Sequence, residues 1–351
     1  MSGLETGVSV RDFRKRDLRD VLEIANLSFV REFKITGFDP EHVKKMVDTV
    51  FGIPATAFLA LSRLLGKEFF KLFVAEVNAR VVGTTMMTRQ RNVGYISAVM
   101  VHPAYRRREI ARRLMNSAVA YAKEKKVKRT VLHVIPTNYS AKNLYAELGF
   151  KEFEKIRRMA GSVDRVSPPE CIEAVRVNRF QKSDMDAIYE LIKSSEDPRH
   201  LEVFDFTKKD LKKTFFERLF RFSIKNRMTA TLNGALIGYV EATHTTPSEA
   251  GQISNVQVHP ELKGKGIEEM LIHAATSKVK QAGIRKVIGT ASARRPELIA
   301  AMVKLGFERC LELDGMVGVS IDTLRRHRAL FQCLLGTLTG RYYVNENWCI
   351  R

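Results

Sequence analysis

Two basic loops that run directly into helical patterns are the first features of this chain with chemical potential. Arg106, Arg107, Arg108, Glu109, Ile110, Ala111 and Arg112 lead into a stretch where Ile110, Leu114, Ala118 and Tyr121 recur at helical spacing. Leu262 to Glu268 (LKGKGIE) leads in the same way into Ile267, Leu271, Ala274 and Val279. A helix start presents N–H groups without internal partners and about half a positive charge, which suits a phosphate. Gly264 and Gly266 also fit a plain turn. Beyond the first loop stand two proton-handling side chains, His133 and Tyr145. An imidazole of ordinary pKa ~6.5 accepts a proton near neutrality, and a phenol of ~10 retains one to give. Each also fits a structural role: a strand histidine sharing a face with Val131 and Ile135, and a helix tyrosine one turn after Ala141.

The elements that must position these residues occur twice. ISAVMVHP begins at Ile96 and ISNVQVHP at Ile253, and Leu148-Gly149-Phe150 is matched by Leu305-Gly306-Phe307, each 157 positions on (253 − 96). Both halves open on a short alternating strand and a helix with an Asp at its start (Val8 and Asp17, Val175 and Asp184). Both then carry a hairpin-like run, turning at Asn78 and Asn233 with Gly83 and Gly238 in the second strand. The stretches between, Ser28 to Lys67 and Lys193 to Lys225, share little. Strands joined by helical crossovers predict an α/β fold with a mixed sheet, built from two tandem copies of one domain. The boundaries read as residues 1–160, a turn-rich linker over 161–170, a second copy over 171–317, and a tail over 318–351. In that tail Asp322 to Leu335 suits a helix, and Arg341 to Trp348 is rich in aromatics.

Composition narrows the class. The 351 residues carry a net charge of +20. It is uneven: residues 1–160 hold 30 Lys+Arg against 16 Asp+Glu, and the remainder 29 against 23. Such a field attracts anions, whether a polyphosphate cofactor, an acidic protein surface or nucleic acid, although a solvated basic surface has the same composition. No apolar run reaches the ~18 residues of a membrane span. Phe51 to Leu65 comes nearest and is interrupted by Pro54 and Arg63. The first residues lack a secretory h-region. Cys171, Cys310, Cys333 and Cys349 form no CxxC pair, so neither zinc nor a disulfide framework is indicated. A cytoplasmic protein with no membrane partner is expected.

Val101 to Leu114 (VHPAYRRREIARRL) resembles the acyl-CoA loop of the GNAT-type N-acetyltransferases, V-x-P-x-Y-[RQ]-x-x-G-x-[GA]. Asn138 to Phe150 (NYSAKNLYAELGF) fits that family's N-x-x-A-x-x-L-Y-x-x-x-G-F completely. The likeness covers residues 8–160 in segment order and 175–317 more loosely. It implies two parallel strands, Ile96 to Val101 and Arg129 to Ile135, splayed around the pantetheine arm of acetyl-CoA. Backbone groups of Val99, Met100 and Val101 would pair with the pantetheine, and the N–H groups of Arg107 to Arg112, beside Arg106, would take the pyrophosphate. Asn138 matches a cofactor-contacting position. Tyr145 matches the general acid for the departing thiolate. His133 stands where relatives acting on ribosomal protein N-termini carry a Glu base, and Glu76 is a fallback. The imidazole and the phenol are expected to project toward one thioester.

One position departs from the pattern: Glu109 replaces the usual Gly, adding bulk and a like charge near the phosphate site. The second copy departs further, with Met302 for Tyr145, Arg295 for Asn138 and Thr290 for His133, which implies a degenerate copy. The expected activity is therefore direct transfer of acetyl from acetyl-CoA to an amine on a protein or small molecule, sited in residues 1–160. The alternative is a non-catalytic tandem module that binds CoA as a sensor, or binds RNA or an acidic partner through its basic face. No nucleic-acid motif is present.

Overall fold

The computed structural model describes residues 7–36, 70–90, 92–211, 224–244 and 250–319. Much of Ser28 to Lys67, all of Phe51 to Leu65 and the tail beyond 319 lie outside these residues, with Cys333 and Cys349. In chain order the first half gives β1 (Ser9–Asp12), α1 (Leu18–Thr36), β2 (Phe70–Val77), β3 (Arg80–Gln90), β4 (Val93–Val101), α2 (Ile110–Glu124), β5 (Arg129–Val134), α3 (Tyr139–Glu147) and β6 (Lys151–Ser162). The second gives β7 (Val175–Arg179), α4 (Met185–Ser195), α5 (Pro198–Phe204), β8 (Ile224–Leu232), β9 (Ala235–His244), β10 (Ala250–Val258), α6 (Ile267–Gln281), β11 (Lys286–Ser292), α7 (Pro296–Lys304) and β12 (Glu308–Val319). The repeated segment order thus becomes a repeated order of elements. Asn78 and Asn233 turn their hairpins with φ of 49° and 51°, as a short polar side chain tolerates. Asp17 and Asp184 differ slightly from expectation. Each closes a short 3-10 turn, its carboxylate accepting the N–H three residues back, from Arg14 and Gln181.

The twelve strands among the described residues form one mixed sheet, ordered β1-β2-β3-β4-β5-β12-β6-β11-β10-β9-β8-β7. The two copies therefore exchange their last strands. β12, the end of the second copy, lies beside β5 of the first, from Val319 against Arg129 to Asp314 against Val134. β6, the end of the first copy, lies beside β11, from Lys286 against Ser162 to Ser292 against Ile156. β6 and β12 also pair with each other, which makes the sheet continuous. A strand's side-chain pattern suits either copy's slot, because both slots want the same alternation.

Helices cover both faces. α2 buries Ile110, Leu114, Met115 and Ala118 against Ala75, Val82 and Ile96, and truncating such a side chain to Ala costs about 2–5 kcal/mol. α1 packs Ile24 on Val74, Val81 and Met100 on the opposite face. Gly83 brings α2 close to the sheet: a Cβ there would stand 3.0 Å from the Met100 carbonyl oxygen and 3.1 Å from Leu114. Gly238 does the same for α6, with Leu271 at 2.9 Å.

Candidate active site

β4 and β5 pair in parallel only from Val93 to Tyr95, against Arg129 to Val131. Beyond Tyr95 they part, so the β5-facing edge of Ile96 to Val101 has no strand partner there. Ala98, at φ 52°, bulges β4 where its register against β3 shifts between Met86 and Thr84, and such a bulge bends a strand away from its neighbour. Val99 and Val101 pack toward α2, and Met100 toward α1. The Val101 carbonyl accepts from Arg106 Nε at 3.3 Å. The same parting recurs in the second copy, where β10 and β11 pair up to Ile253 and Asn255 takes φ 51°.

The basic loop ends at the mouth of this gap. The first internal bond of α2 is donated by Arg113 to Glu109 at 3.0 Å, so the N–H groups of Ile110, Ala111 and Arg112 precede it and stand at the positive end of the helix. Arg107 and Glu109 adopt φ of 63° and 56°, and their counterparts Gly264 and Gly266 adopt 72° and 91°. The first copy therefore keeps the glycine conformation without the glycine. Glu109 turns its carboxylate outward to Arg112 Nε at 2.5 Å, and Arg112 also binds Glu147. Of the neighbouring arginines, Arg108 lies over the Tyr105 ring at 5.3 Å and Arg113 donates to the Val8 carbonyl at 3.1 Å.

Asn138 caps α3, its Oδ1 accepting from the Ala141 N–H at 3.2 Å, a role that by itself accounts for the residue type. Tyr145 is buried, in one cluster with Leu132, Val134, Ile110 and Phe150. Burial pushes its phenol up to about 12, so it holds its proton at neutral pH. Glu76 is committed elsewhere, accepting from Arg11 Nε at 2.7 Å, on a strand separated from the gap by β3.

His133 stands on the other face of β5. Successive strand residues alternate, and His133 follows Val131, which packs with Val93, Phe153 and Val203, rather than Leu132 and Val134. The Tyr95 ring lies 6.0 Å from the imidazole, centroid to centroid. Imidazole and phenol, expected from the sequence to project toward one thioester, instead flank β5 from opposite faces, beside the gap, and do not point toward each other.

The sequence did not disclose what surrounds His133. Glu154 of β6 presents Oε1 to His133 Nε2 at 3.5 Å, outside hydrogen-bond geometry, while its Oε2 meets His200 Nδ1 of α5 at 3.0 Å. Burial opposes ionisation of Glu154, but the two imidazoles outweigh it and bring the carboxyl down to about 2. Burial also opposes a charge on His200, and Glu154 reverses that, raising its pKa. α5, from the second copy, roofs this face of the first: Phe204 stacks on Tyr95 at 5.8 Å, and Arg129 reaches Glu202 at 2.7 Å. Sequence carries no signal for these contacts, since they follow from the exchanged strands.

The second copy's gap is arranged differently. Arg295, in the place of Asn138, is 8% exposed and gives no cap to α7. Its Nη1 instead donates to the carbonyl of Val256, the counterpart of Val99, at 2.6 Å. Glu268 is fully buried, and its carboxylate accepts the Gly264 N–H at 3.2 Å, on the loop equivalent to Arg106–Glu109. Burial raises the Glu268 pKa. Met302, in the place of Tyr145, is fully buried. A cavity of about 130 Å³ remains at the mouth of this gap, lined by Arg295, Gln257, Thr290, Glu154 and His200.

A mixed sheet parted at two parallel strands, with a helix N-terminus at the mouth of the gap, defines the acyl-CoA N-acyltransferase class of fold. The family model for the acetyltransferase (GNAT) family matches residues 41–150 and 185–307, and the chain belongs to that family. It is 28% identical over 165 residues to an uncharacterised N-acetyltransferase of Methanocaldococcus jannaschii, covering 45% of this chain and 67% of that one. It is 30% identical over 90 residues to N-alpha-acetyltransferase 30 of Dictyostelium discoideum, covering 24% of this chain and about half (49%) of that protein. Among solved structures, a tandem GNAT protein of the clavulanic acid biosynthesis pathway superposes with a TM-score of 0.63 at 18% identity, over 90% of this chain and 99% of that one. A GCN5-related N-acetyltransferase from Sphaerobacter thermophilus gives 0.60 at 16% identity, over 89% and 95%. These last two establish the fold. No helix among the described residues is long and apolar enough to cross a membrane.

Proposed function

We propose that the chain transfers an acetyl group from acetyl-CoA to an amine at the gap between β4 and β5. The observation that carries this reading is the coincidence of three features at one place: an unpaired strand edge, a helix N-terminus and a protonated phenol. The edge of Val99, Met100 and Val101 suits the amides of the pantetheine arm. The N–H groups of Ile110, Ala111 and Arg112, with the arginines around them, suit the pyrophosphate, and the outward turn of Glu109 leaves that approach open.

An amine must lose a proton before it attacks, since an α-amine (~8) and a lysine (~10.4) are mostly charged at neutrality. His133, from the face roofed by α5, accepts that proton directly or through water. Tyr145, from the α2 face, gives its proton to the departing sulfur. Against a thiol of ~8.5 the buried phenol is the weaker acid by about 5 kcal/mol at equilibrium, so the transfer must be coupled to breaking of the C–S bond. Attack is direct: among the described cysteines, Cys171 is exposed in the segment before β7, and Cys310, on β12 but outside the part of that strand that pairs with β5, bonds the Arg158 carbonyl. In the second copy's equivalent groove Arg295 takes the Val256 carbonyl and Glu268 the Gly264 N–H, so that the cavity left there lacks two of the backbone groups an acyl-CoA would need, which supports a single active site in the first half.

The test is chromatographic detection of CoA released from acetyl-CoA with a panel of peptide, polyamine and small amine acceptors. Acceptor-dependent release that collapses in Tyr145→Phe supports the reading. Tight CoA binding with no transfer to any acceptor would leave a binding module in its place.

A further inference from the structure

We propose that Glu154 is a positioning residue for His133, reaching it across the exchanged strand through a notch made by Gly315. This rests on the reading of His133 as the base and deepens it.

The register supplies the argument. On β12, Gly315 pairs with His133 on one side and with Glu154 on the other. Residues related in this way normally lie two strands apart, with an intervening side chain between them. At Gly315 there is none, and none fits: a Cβ would stand 2.6 Å from Glu154 Cγ and 2.9 Å from Phe153. The pairing skips Phe153, since Met316 pairs with Glu152. That bulge lets both Phe153 and Glu154 meet α5, at Phe204 and His200. The carboxylate thus lies over the glycine with Oε1 facing His133.

The charges around it are assigned. Glu154 is 7% exposed, and a buried carboxylate needs partners. His200, whose pKa is raised by Glu154 against its burial, meets Oε2 with its Nδ1 at 3.0 Å. The Tyr95 phenol, raised mainly by burial and further by Glu154, stays neutral. Asp314, the neighbour of Gly315, is held by Lys142 of α3, and Lys142 also lies 3.6 Å from Glu152. Glu154 Oε1 is thus the anionic oxygen facing His133 Nε2. A carboxylate at that nitrogen favours the proton on Nε2 and leaves the lone pair on Nδ1. The imidazole remains partly exposed, at 23%, so Nδ1 is the nitrogen left to receive a proton from an acceptor. A strand and a helix of the second copy would in this way set the tautomer of a group in the first.

The test is the tautomer of His133, read from nitrogen chemical shifts of the full-length, histidine-labelled protein above neutral pH. The expected result is a proton on Nε2 in the wild type, with Nδ1-protonated population appearing in Glu154→Gln and in Gly315→Ala. A wild type protonated on Nδ1 overturns the proposal, and it does so even if neither variant folds. In turnover, Glu154→Gln is expected to lower kcat at least tenfold, with little change in KM for acetyl-CoA and no further loss in a His133→Ala background. An equal loss in that background would make Glu154 merely structural and overturn the proposal. The two readings are judged separately: tautomers report the positioning without any turnover, and His133→Ala retaining full activity would refute the base.

Discussion

Glu109 and Gly266 occupy the same left-handed position at the start of α2 and α6, with φ of 56° and 91°. A non-glycine residue there costs about 1–2 kcal/mol. Glu109→Gly should therefore leave the loop where it is and raise stability by about 0.5–1 kcal/mol, after the loss of the exposed contact to Arg112 and the greater freedom of unfolded glycine. It should also tighten CoA binding, by removing a negative charge near the phosphate site and releasing Arg112 from it. Denaturant unfolding and calorimetric titration would check both, and a destabilised, weaker-binding variant would contradict this account.

Tyr145→Phe keeps the ring in its cluster with Leu132 and Val134 and removes only the hydroxyl. CoA release should fall by about 10²-fold or more, while CoA affinity stays within a few-fold of wild type. A matched loss of affinity and rate would instead mark the hydroxyl as a binding group.

Arg295 on the Val256 carbonyl and Glu268 on the Gly264 N–H stand where an arm and a phosphate would otherwise bind. The full chain should accordingly bind one CoA, a stoichiometry that native mass spectrometry reads directly. Replacing both residues, Glu268→Ala with Arg295→Asn, should open a second, weaker site. Two equivalents on the unmodified chain would refute the idea that these two side chains block the second site.

The Glu154–His200 contact joins the halves, and its pH dependence has a defined sign. The Glu154 carboxyl is held at about 2, below its ordinary 4.5, so its contribution is present above 4.5 and lost as pH falls toward 2. The His200 pKa is raised above its ordinary 6.5, so its contribution is full below 6.5 and lost as pH rises past the folded value. The stability deficit of Glu154→Gln should therefore be greatest between pH 4.5 and 6.5, at about 3 kcal/mol, and shrink on either side. A deficit independent of pH would point to lost packing.

The duplicated order of strands and helices, the hairpin turns at Asn78 and Asn233, and the helix bearing Tyr145 were legible because each follows from local periodicity and turn chemistry. The partners of His133 were not. Glu154, Gly315 and His200 lie 21, 182 and 67 positions from it, and they meet only because β12 and β6 exchange places, which no local pattern records. The conformation of Arg107 and Glu109 was hidden for a related reason. Their residue types argue against a left-handed turn, and the loop's connection to α2 imposes one.

The exchanged strands also bear on how the chain matures on the ribosome. The first half's sheet is completed by β12, whose last residue, Val319, is made after everything else described here. Until then β5 lacks its final neighbour, and its free N–H and C=O groups fall either to β6, whose alternation suits the same slot, or to a strand of another chain. A truncation before residue 308 therefore either closes β6 onto β5 as a compact half or leaves the edge to other chains, and size-exclusion chromatography of that fragment tells a monomer from an associating species.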